Sequence, residues 1–144
     1  MNNKEDKIQY IAFKAFIRNK EGKILIVQES DKDPEHVHYL KWDVPGGRMK
    51  FGEIPQVSLV REVKEEVGLD ISVIRPFTVH QWQVKIKDKQ AQIVAVYFIS
   101  QSLSDEVKLS FEHQDFKWIE PNQYNQFDLI RGLDKIFKKY LDEK

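Results

Sequence analysis

One segment constrains this chain more than any other, because glycines and carboxylates recur in it at fixed spacing. It covers residues 47–69, GRMKFGEIPQVSLVREVKEEVGL. The pattern is glycine, five variable residues, glutamate, seven variable residues, and then R-E-V-K-E-E-V-G-L. Taking all residue types as equally frequent, seven fixed positions match by chance in roughly one window in a billion. This spacing therefore indicates a specific site rather than a general helix composition.

The second half of this segment is predicted to form an amphipathic helix. Pro55 suits the first helical turn, where its missing N–H needs no partner, and Gly68 suits a left-handed cap at the other end. An arc of about 120° on the helical wheel holds the apolar positions, which are Val57, Val60, Val63 and Val67. The opposite side, within about 100°, holds the three carboxylates Glu62, Glu65 and Glu66.

Three carboxylates this close favour a bound cation, because they repel one another without one. Oxygen ligands suit Mg²⁺ or Mn²⁺, and such an ion supports phosphoanhydride hydrolysis by neutralising phosphate charge and activating water. Arg61 lies where its guanidinium could hold a carboxylate in position. Gly46 and Gly47 allow the backbone to approach a metal or phosphate closely. A glutamate-rich helix is more often only a solvated surface, but the glycines, Glu53 and Arg61 in register favour the metal site.

This pattern resembles the signature of the Nudix hydrolases, and every position of that signature is filled. The preceding W-D-V-P-G-G of residues 42–47 is also similar to the way many members enter it. The resemblance implies a metal-dependent enzyme that cleaves a nucleoside diphosphate linked to another group. It implies an α/β fold, a sandwich with a mixed β-sheet between helices. The implied metal ligands are Glu62, Glu65, Glu66 and a backbone carbonyl of Gly46 or Gly47. The implied orienting residues are Glu53 and Arg61.

A second stretch, LSFEHQDFKWI at residues 109–119, resembles a loop that reaches the metal cluster in many Nudix enzymes. Glu112 is the first candidate for a further metal ligand or general base, and His113 is the second. The alternative is an ordinary polar loop before an edge strand. The catalytic candidates are therefore Glu53, Arg61, Glu62, Glu66, Glu112 and His113. The metal-binding candidates are Gly47, Glu62, Glu65, Glu66 and Glu112.

Substrate choice is expected to depend on residues outside these two stretches. Residues 30–41 form a long polar connection, which suits a lid or a base pocket. Aromatic rings there or on a neighbouring strand could stack on a nucleobase, and imidazoles could contact phosphate. Each such residue is more often a surface or packing residue. The candidates are Tyr39, Trp42, Trp82, His36 and His38.

Hydrophobic patterning predicts five strands, over residues 8–17, 23–28, 73–86, 92–100 and 117–120. Turns are expected at 19–22 and 87–89. An amphipathic helix is expected over residues 127–141. Strands combined with one early and one late helix favour a mixed sheet between helices.

Composition limits the class of protein. The 144 residues suit one domain, 1–144, and the 23 basic and 23 acidic residues imply no general attraction to nucleic acid or membrane. The lack of cysteine excludes disulfides and thiolate metal sites. Residues 1–7 lack the apolar core of a signal peptide, and the longest apolar run, 93–99, is too short to span a bilayer. We expect a cytoplasmic enzyme, either a monomer or a homodimer.

Three functions agree with these patterns. The first is hydrolysis of a small nucleoside diphosphate derivative or nucleoside triphosphate to a monophosphate and a phosphorylated remainder, with Mg²⁺ or Mn²⁺. The second is a Nudix-fold sensor that binds a nucleotide without cleaving it, against which the complete carboxylate set argues. The third is an RNA-end pyrophosphohydrolase, which would need a local basic groove such as Lys85, Lys87 and Lys89. Motifs outside the signature give conflicting indications of subgroup.

Overall fold

A computed structural model of the chain describes residues 6–30 and 38–143. This part forms a seven-stranded sheet with two α-helices and a 3-10 helix at Pro121–Gln126. The strands are β1 (Lys7–Arg18), β2 (Ile24–Glu29), β3 (Trp42–Asp43), β4 (Gly46–Arg48), β5 (Ile71–Ile86), β6 (Lys89–Ser102) and β7 (His113–Ile119). The helices are α1 (Pro55–Val67) and α2 (Leu133–Asp142).

The sheet is mixed, as the sequence predicts. The strand order is β3-β2-β1-β6-β5, with β4 paired to β1 and β7 paired to β2. The β1–β6 pair is parallel, and the other pairs are antiparallel. Both predicted turns are present. The Asn19 side chain accepts hydrogen bonds from two backbone N–H groups of the first turn, and Lys87 and Asp88 adopt positive φ in the two-residue turn of the second.

Each face of the sheet packs against one helix, because alternate residues of a strand point to opposite faces. On the α1 side the buried residues include Phe13, Ala15, Ile17, Leu59, Val63 and Val67. On the α2 side they include Phe16, Tyr97, Ile136, Phe137 and Tyr140. The result is the predicted α/β sandwich. No helix in residues 6–30 or 38–143 has both the length and the apolar character needed to cross a bilayer.

Two of the four valines that were predicted to form the buried face of α1 are exposed. Val57 is 64 % exposed and Val60 is 38 % exposed, whereas Leu59 is fully buried. Leu59 lies four residues before Val63 and eight before Val67, so these three side chains form one straight stripe against the sheet. The helix is therefore rotated relative to the valine pattern, because the bulkier leucine fills the core.

Two other element boundaries differ from prediction. The C-terminal helix begins at Leu133 rather than at 127, because Gly132 has a φ of 89° and the backbones of Asp128 and Ile130 bond to Trp42 of β3 instead. Strand β7 begins at His113 rather than at 117, since its pairing with β2 extends to Glu29. This earlier start matters for function, because it places Glu112 directly before the first residue of the strand.

Candidate active site

Helix α1 is fixed at both of its ends. It begins at Pro55 and ends at Gly68, whose φ is 73° and whose N–H donates to the carbonyl of Lys64 at 3.0 Å. A tight turn precedes it, in which the N–H of Lys50 donates to the Glu53 carboxylate at 2.6 Å and the N–H of Glu53 donates to the Lys50 carbonyl at 3.1 Å. The glutamates of the helix are therefore held in a defined direction.

Arg61 joins three carboxylates. Its Nη2 donates to Glu53 at 2.8 Å and to Glu62 at 3.3 Å, and its Nη1 donates to both oxygens of Glu65 at 3.1 Å. These hydrogen bonds raise the pKa of Arg61 above its ordinary value, and the bond to Glu53 has the largest effect. The hydrogen bond from the Lys50 N–H is the main cause that lowers the pKa of Glu53, and Arg61 lowers it further. Arg61 thereby connects Glu53 of the preceding turn to two glutamates of the helix.

Glu66 is a half-buried glutamate of the helix. Its Oε2 accepts the N–H of Gly46 at 2.8 Å. Burial raises the pKa of Glu66 to about 8, against the lowering effects of Lys14 and of the Gly46 hydrogen bond, and the neighbouring Glu62 and Glu112 raise it further. A carboxylate in this position is poised to exchange its proton for a cation.

The two glycines before this helix allow close backbone approach. A Cβ on Gly46 would collide with the carbonyl oxygen of Phe13 and would lie 2.7 Å from the Cα of Lys14. A Cβ on Gly47 would lie 3.2 Å from an oxygen of Glu62. The backbone at Gly47 therefore lies directly beside a carboxylate, where its carbonyl could join the same ion.

Glu112 reaches this place through the loop that precedes β7. The N–H groups of Lys108 and Ser110 donate to the carbonyls of Val67 and Glu66, at 2.8 and 2.9 Å. These bonds attach the loop to the free carbonyls at the C-terminal end of α1. Glu112 follows directly, so a side chain far along the sequence joins the helix glutamates.

The five residues predicted as metal ligands line a single cavity of about 420 Å³. They are Gly47, Glu62, Glu65, Glu66 and Glu112. The same cavity is lined by residues that the sequence did not single out, namely Tyr10, Arg48, Met49 and Lys50. Their only sequence signal is that two cations, Arg48 and Lys50, closely follow the paired glycines.

The chemistry of these side chains fits a hard divalent cation. All the donors are carboxylate or carbonyl oxygens, which Mg²⁺ and Mn²⁺ prefer. Within residues 6–30 and 38–143, no three carboxylate or imidazole groups already converge as a finished metal cluster. Their present partners are Arg61 for Glu62 and Glu65, and Gly46 for Glu66.

An internal ion pair lies behind Glu66. The Nζ of Lys14 is 2.9 Å from the Oδ2 of Asp43, and both side chains are 12 % exposed. Burial acts to lower the pKa of Lys14, but Asp43 and then Glu66 outweigh it and raise that pKa above its ordinary value. The sequence prediction missed this pair. Its signal was a lysine inside the apolar stretch of β1, FKAFIR.

His113 is less suited than Glu112 to act on substrate. Its Nδ1 is buried and has no hydrogen-bond partner among the described residues. Burial, followed by the charge of Lys14, lowers the pKa of His113. It is not among the residues that line the carboxylate cavity in the described part of the chain, whereas Glu112 is.

The structure does not bring the predicted aromatic candidates to this cavity. Trp42 is only 7 % exposed, and its ring packs edge-on against Phe127 at 5.9 Å. Its indole is thus committed to the core, contrary to the predicted stacking on a nucleobase. Trp82 packs partly buried on the α2 side, 6.1 Å from the ring of His80, and Tyr39 is half-buried away from the cavity lining.

Part of the predicted lid falls outside the structure. His36 and the rest of residues 31–37 lie outside the described residues. His38 is described, and its carbonyl accepts the N–H of Lys41 at 3.0 Å in a turn before β3. The predicted phosphate contacts of the two histidines therefore stay predictions.

Residues 9–140 match the NUDIX domain, which is nearly the whole chain. The chain belongs to the Nudix family. It is a Nudix hydrolase, in agreement with the resemblance of its glutamate helix and paired glycines.

Individual relatives support this assignment. The chain is 31 % identical over 106 residues to the nucleoside triphosphatase NudI of Escherichia coli, covering 68 % of this chain and 74 % of that protein. Its structure is similar to that of a MutT protein from Methanosarcina mazei, with a TM-score of 0.78, 27 % identity, and coverage of 95 % and 96 %. An Ap4A hydrolase from Caenorhabditis elegans shares the fold, with a TM-score of 0.68 at 23 % identity over 92 % and 96 % of the two chains.

Proposed function

We propose that this Nudix hydrolase is a pyrophosphohydrolase that converts a nucleoside triphosphate to a monophosphate and pyrophosphate, with Mg²⁺ or Mn²⁺ as the cofactor. The observation that carries the proposal is the single cavity lined by Gly47, Glu62, Glu65, Glu66 and Glu112. The similarity to a nucleoside triphosphatase at 31 % identity supports the choice of a triphosphate over other phosphoanhydrides. The cytoplasmic location and the monomeric or homodimeric state stay predictions from the sequence.

The residues of the proposed site divide into two roles, binding the cation and orienting its ligands. The cation would be held by the carbonyl of Gly47 and the carboxylates of Glu62, Glu65 and Glu66, and when bound it supplies charge neutralisation on the phosphates and activation of water. Arg61 holds Glu62 and Glu65 in place, as its hydrogen bonds at 3.3 and 3.1 Å indicate. This preorganisation lowers the cost of arranging the site during the reaction.

Glu112 is proposed to accept the proton of the attacking water. Water adds across one phosphoanhydride bond, its oxygen forms the new bond to phosphorus, and the bridging oxygen leaves with the other product. The carboxylate of Glu112 takes the proton, which then passes to solvent. A carboxylate can take this proton because a divalent cation, when bound, lowers the pKa of the attacking water.

A substrate panel tests the proposal. Phosphate and monophosphate release would be measured with Mg²⁺ and with Mn²⁺ for nucleoside triphosphates, nucleotide sugars, ADP-ribose, dinucleoside polyphosphates and NADH. We expect a nucleoside triphosphate to have the highest kcat/KM, with pyrophosphate as the second product. A different best substrate would replace the triphosphate assignment. Tight binding without turnover across the panel would instead support the nucleotide sensor.

Replacing Glu112 by glutamine is expected to lower kcat at least about tenfold, because the variant loses its general base. The His113→Gln variant is the matched control, since His113 is the next residue but does not line the cavity. Steady-state rates of both variants at saturating substrate and metal make the comparison. An unchanged rate in Glu112→Gln would transfer the role to His113 or to a glutamate of α1.

A further inference from the structure

The carboxylate cavity contains two cations that are not paired with its carboxylates. Arg48 and Lys50 line it together with four glutamates. The guanidinium of Arg61, in contrast, forms ion pairs with three carboxylates. Among the described residues, neither Arg48 nor Lys50 forms such an ion pair, although carboxylates surround the same space. Their charges are therefore available to an anionic ligand.

The guanidinium of Arg48 is held by an aromatic ring. Its Cζ lies 4.3 Å from the ring centroid of Tyr10. The contact follows from strand register, because Arg48 pairs with Ala12 and Tyr10 lies two residues along β1 on the same face. Tyr10 itself is half-buried, and its backbone pairs with Ile93 of β6, so the strand that carries the ring is held within the sheet. Stacking on a ring leaves the N–H groups at the guanidinium edge free for hydrogen bonds.

The two cations come from a different part of the chain than the glutamates of the cavity. Arg48 is the last residue of β4. Lys50 lies in the turn that follows, and its backbone N–H donates to the carboxylate of Glu53 at 2.6 Å. The glutamates come from α1 and from the loop before β7. A polyphosphate in this space could contact both a cation held by the carboxylates and the two basic side chains. Guanidinium and ammonium groups bind phosphate oxygens through charge-assisted hydrogen bonds.

We propose that Arg48, positioned by Tyr10, and Lys50 bind the terminal phosphates of the substrate and select ligands with a free polyphosphate end. The inference deepens the proposed function and rests on it for the identity of the substrate. A nucleoside diphosphate capped by a sugar offers no terminal phosphate to these two side chains, whereas a nucleoside triphosphate does. Arg48 and Lys50 are then specificity residues, and Tyr10 is a positioning residue.

Binding of phosphates without a nucleoside tests the inference apart from turnover. Inorganic tripolyphosphate and orthophosphate would be titrated into the whole protein with Mg²⁺ by calorimetry. For Arg48→Gln we expect the Kd of tripolyphosphate to rise at least about tenfold and that of orthophosphate to change less than about twofold. Arg48→Lys should lose less, because it keeps the charge, and Tyr10→Leu should weaken tripolyphosphate binding about threefold.

A matched variant controls for charge. Arg75→Gln makes the same change of side chain on β5, where Arg75 pairs with Glu143 at 3.1 Å away from the cavity, and should bind both probes as the wild type does. Unchanged tripolyphosphate binding by Arg48→Gln, or equal weakening for both probes, would overturn the inference. Since neither probe needs to be hydrolysed, a chain inactive on every nucleotide could still show the Arg48 effect. In that case the proposed function would fail and this phosphate site would stand.

Turnover provides a second readout. With nucleoside triphosphate, Arg48→Gln should raise KM more than it lowers kcat, while KM for ADP-ribose should stay within about twofold of the wild-type value. A purely structural role for the Tyr10–Arg48 contact would change both substrates alike. Thermal unfolding of each variant would show whether the fold is retained.

Discussion

Replacing Glu66 with glutamine is expected to lower kcat at least about a hundredfold while the chain still folds. The change removes one charge from the metal-binding set and keeps the shape of the side chain. Glutamine can still accept the N–H of Gly46, the bond that holds Glu66 at 2.8 Å. Steady-state kinetics at saturating substrate and Mg²⁺ would measure the loss, and circular dichroism would confirm the fold.

The control for this variant is Glu21→Gln. Glu21 is an exposed glutamate in the turn between β1 and β2, on neither of the two helices and away from the cavity lining. The variant should keep wild-type kcat. A Glu66→Gln enzyme with kcat within about threefold of wild type would contradict the proposed place of Glu66 in the metal site.

The same substitution makes a prediction about pH and stability. The ordinary pKa of the carboxyl is 4.5, and burial raises the pKa of Glu66 to about 8 in the folded chain. The unfolded chain therefore releases this proton first as pH rises, which favours unfolding. Without metal, the free energy of unfolding of the wild type should fall relative to that of Glu66→Gln as the pH rises from about 4.5 to about 8. Urea unfolding at several pH values with chelator would measure the difference, and a constant difference would contradict it.

Gly46→Ala is expected to lower the free energy of unfolding by at least about 3 kcal/mol. The φ of Gly46 is 141°, which a residue with a side chain rarely adopts. The new methyl group would also meet the backbone of Phe13 and Lys14 on the paired strand, and backbone atoms cannot move aside as a flexible side chain does. Urea unfolding of the metal-free protein would give the difference.

A second glycine separates the two contributions. Gly22 also has positive φ, at 78°, but a Cβ there would have nothing within 4 Å. Gly22→Ala should therefore cost only about 1 kcal/mol, the cost of the backbone conformation alone. Equal losses in the two variants would mean that the close approach of β1 to Gly46 adds nothing to stability.

Local features of the chain were predictable where short-range geometry decides them. Pro55 and Gly68 bound α1 as predicted, because one lacks an N–H and the other tolerates a left-handed conformation. Alternating patterns located β1, β2, β5 and β6 to within a few residues. The helical spacing of Glu62, Glu65 and Glu66 placed them on one cavity, since three and four residues make about one turn.

Local patterns were less reliable where packing chooses among apolar residues. The valines of α1 defined an arc, yet Leu59 is buried and Val57 is 64 % exposed, because the sheet selects the side chains that fill it. The pattern of residues 127–141 suited a helix throughout, yet Gly132 and the bonds of Asp128 and Ile130 to β3 delay its start to Leu133. Trp42, an aromatic residue beside the glycines, proved to be a core residue.

The sequence by itself determined the family and the glutamate helix, because these depend on residues at fixed short spacing. Only the tertiary structure decided which distant side chains share the site. Tyr10 reaches Arg48 through the β1–β4 register, and Lys14 pairs with Asp43 from another strand. Such contacts join residues tens of positions apart, and strand register and loop attachment, which no local periodicity encodes, bring them together.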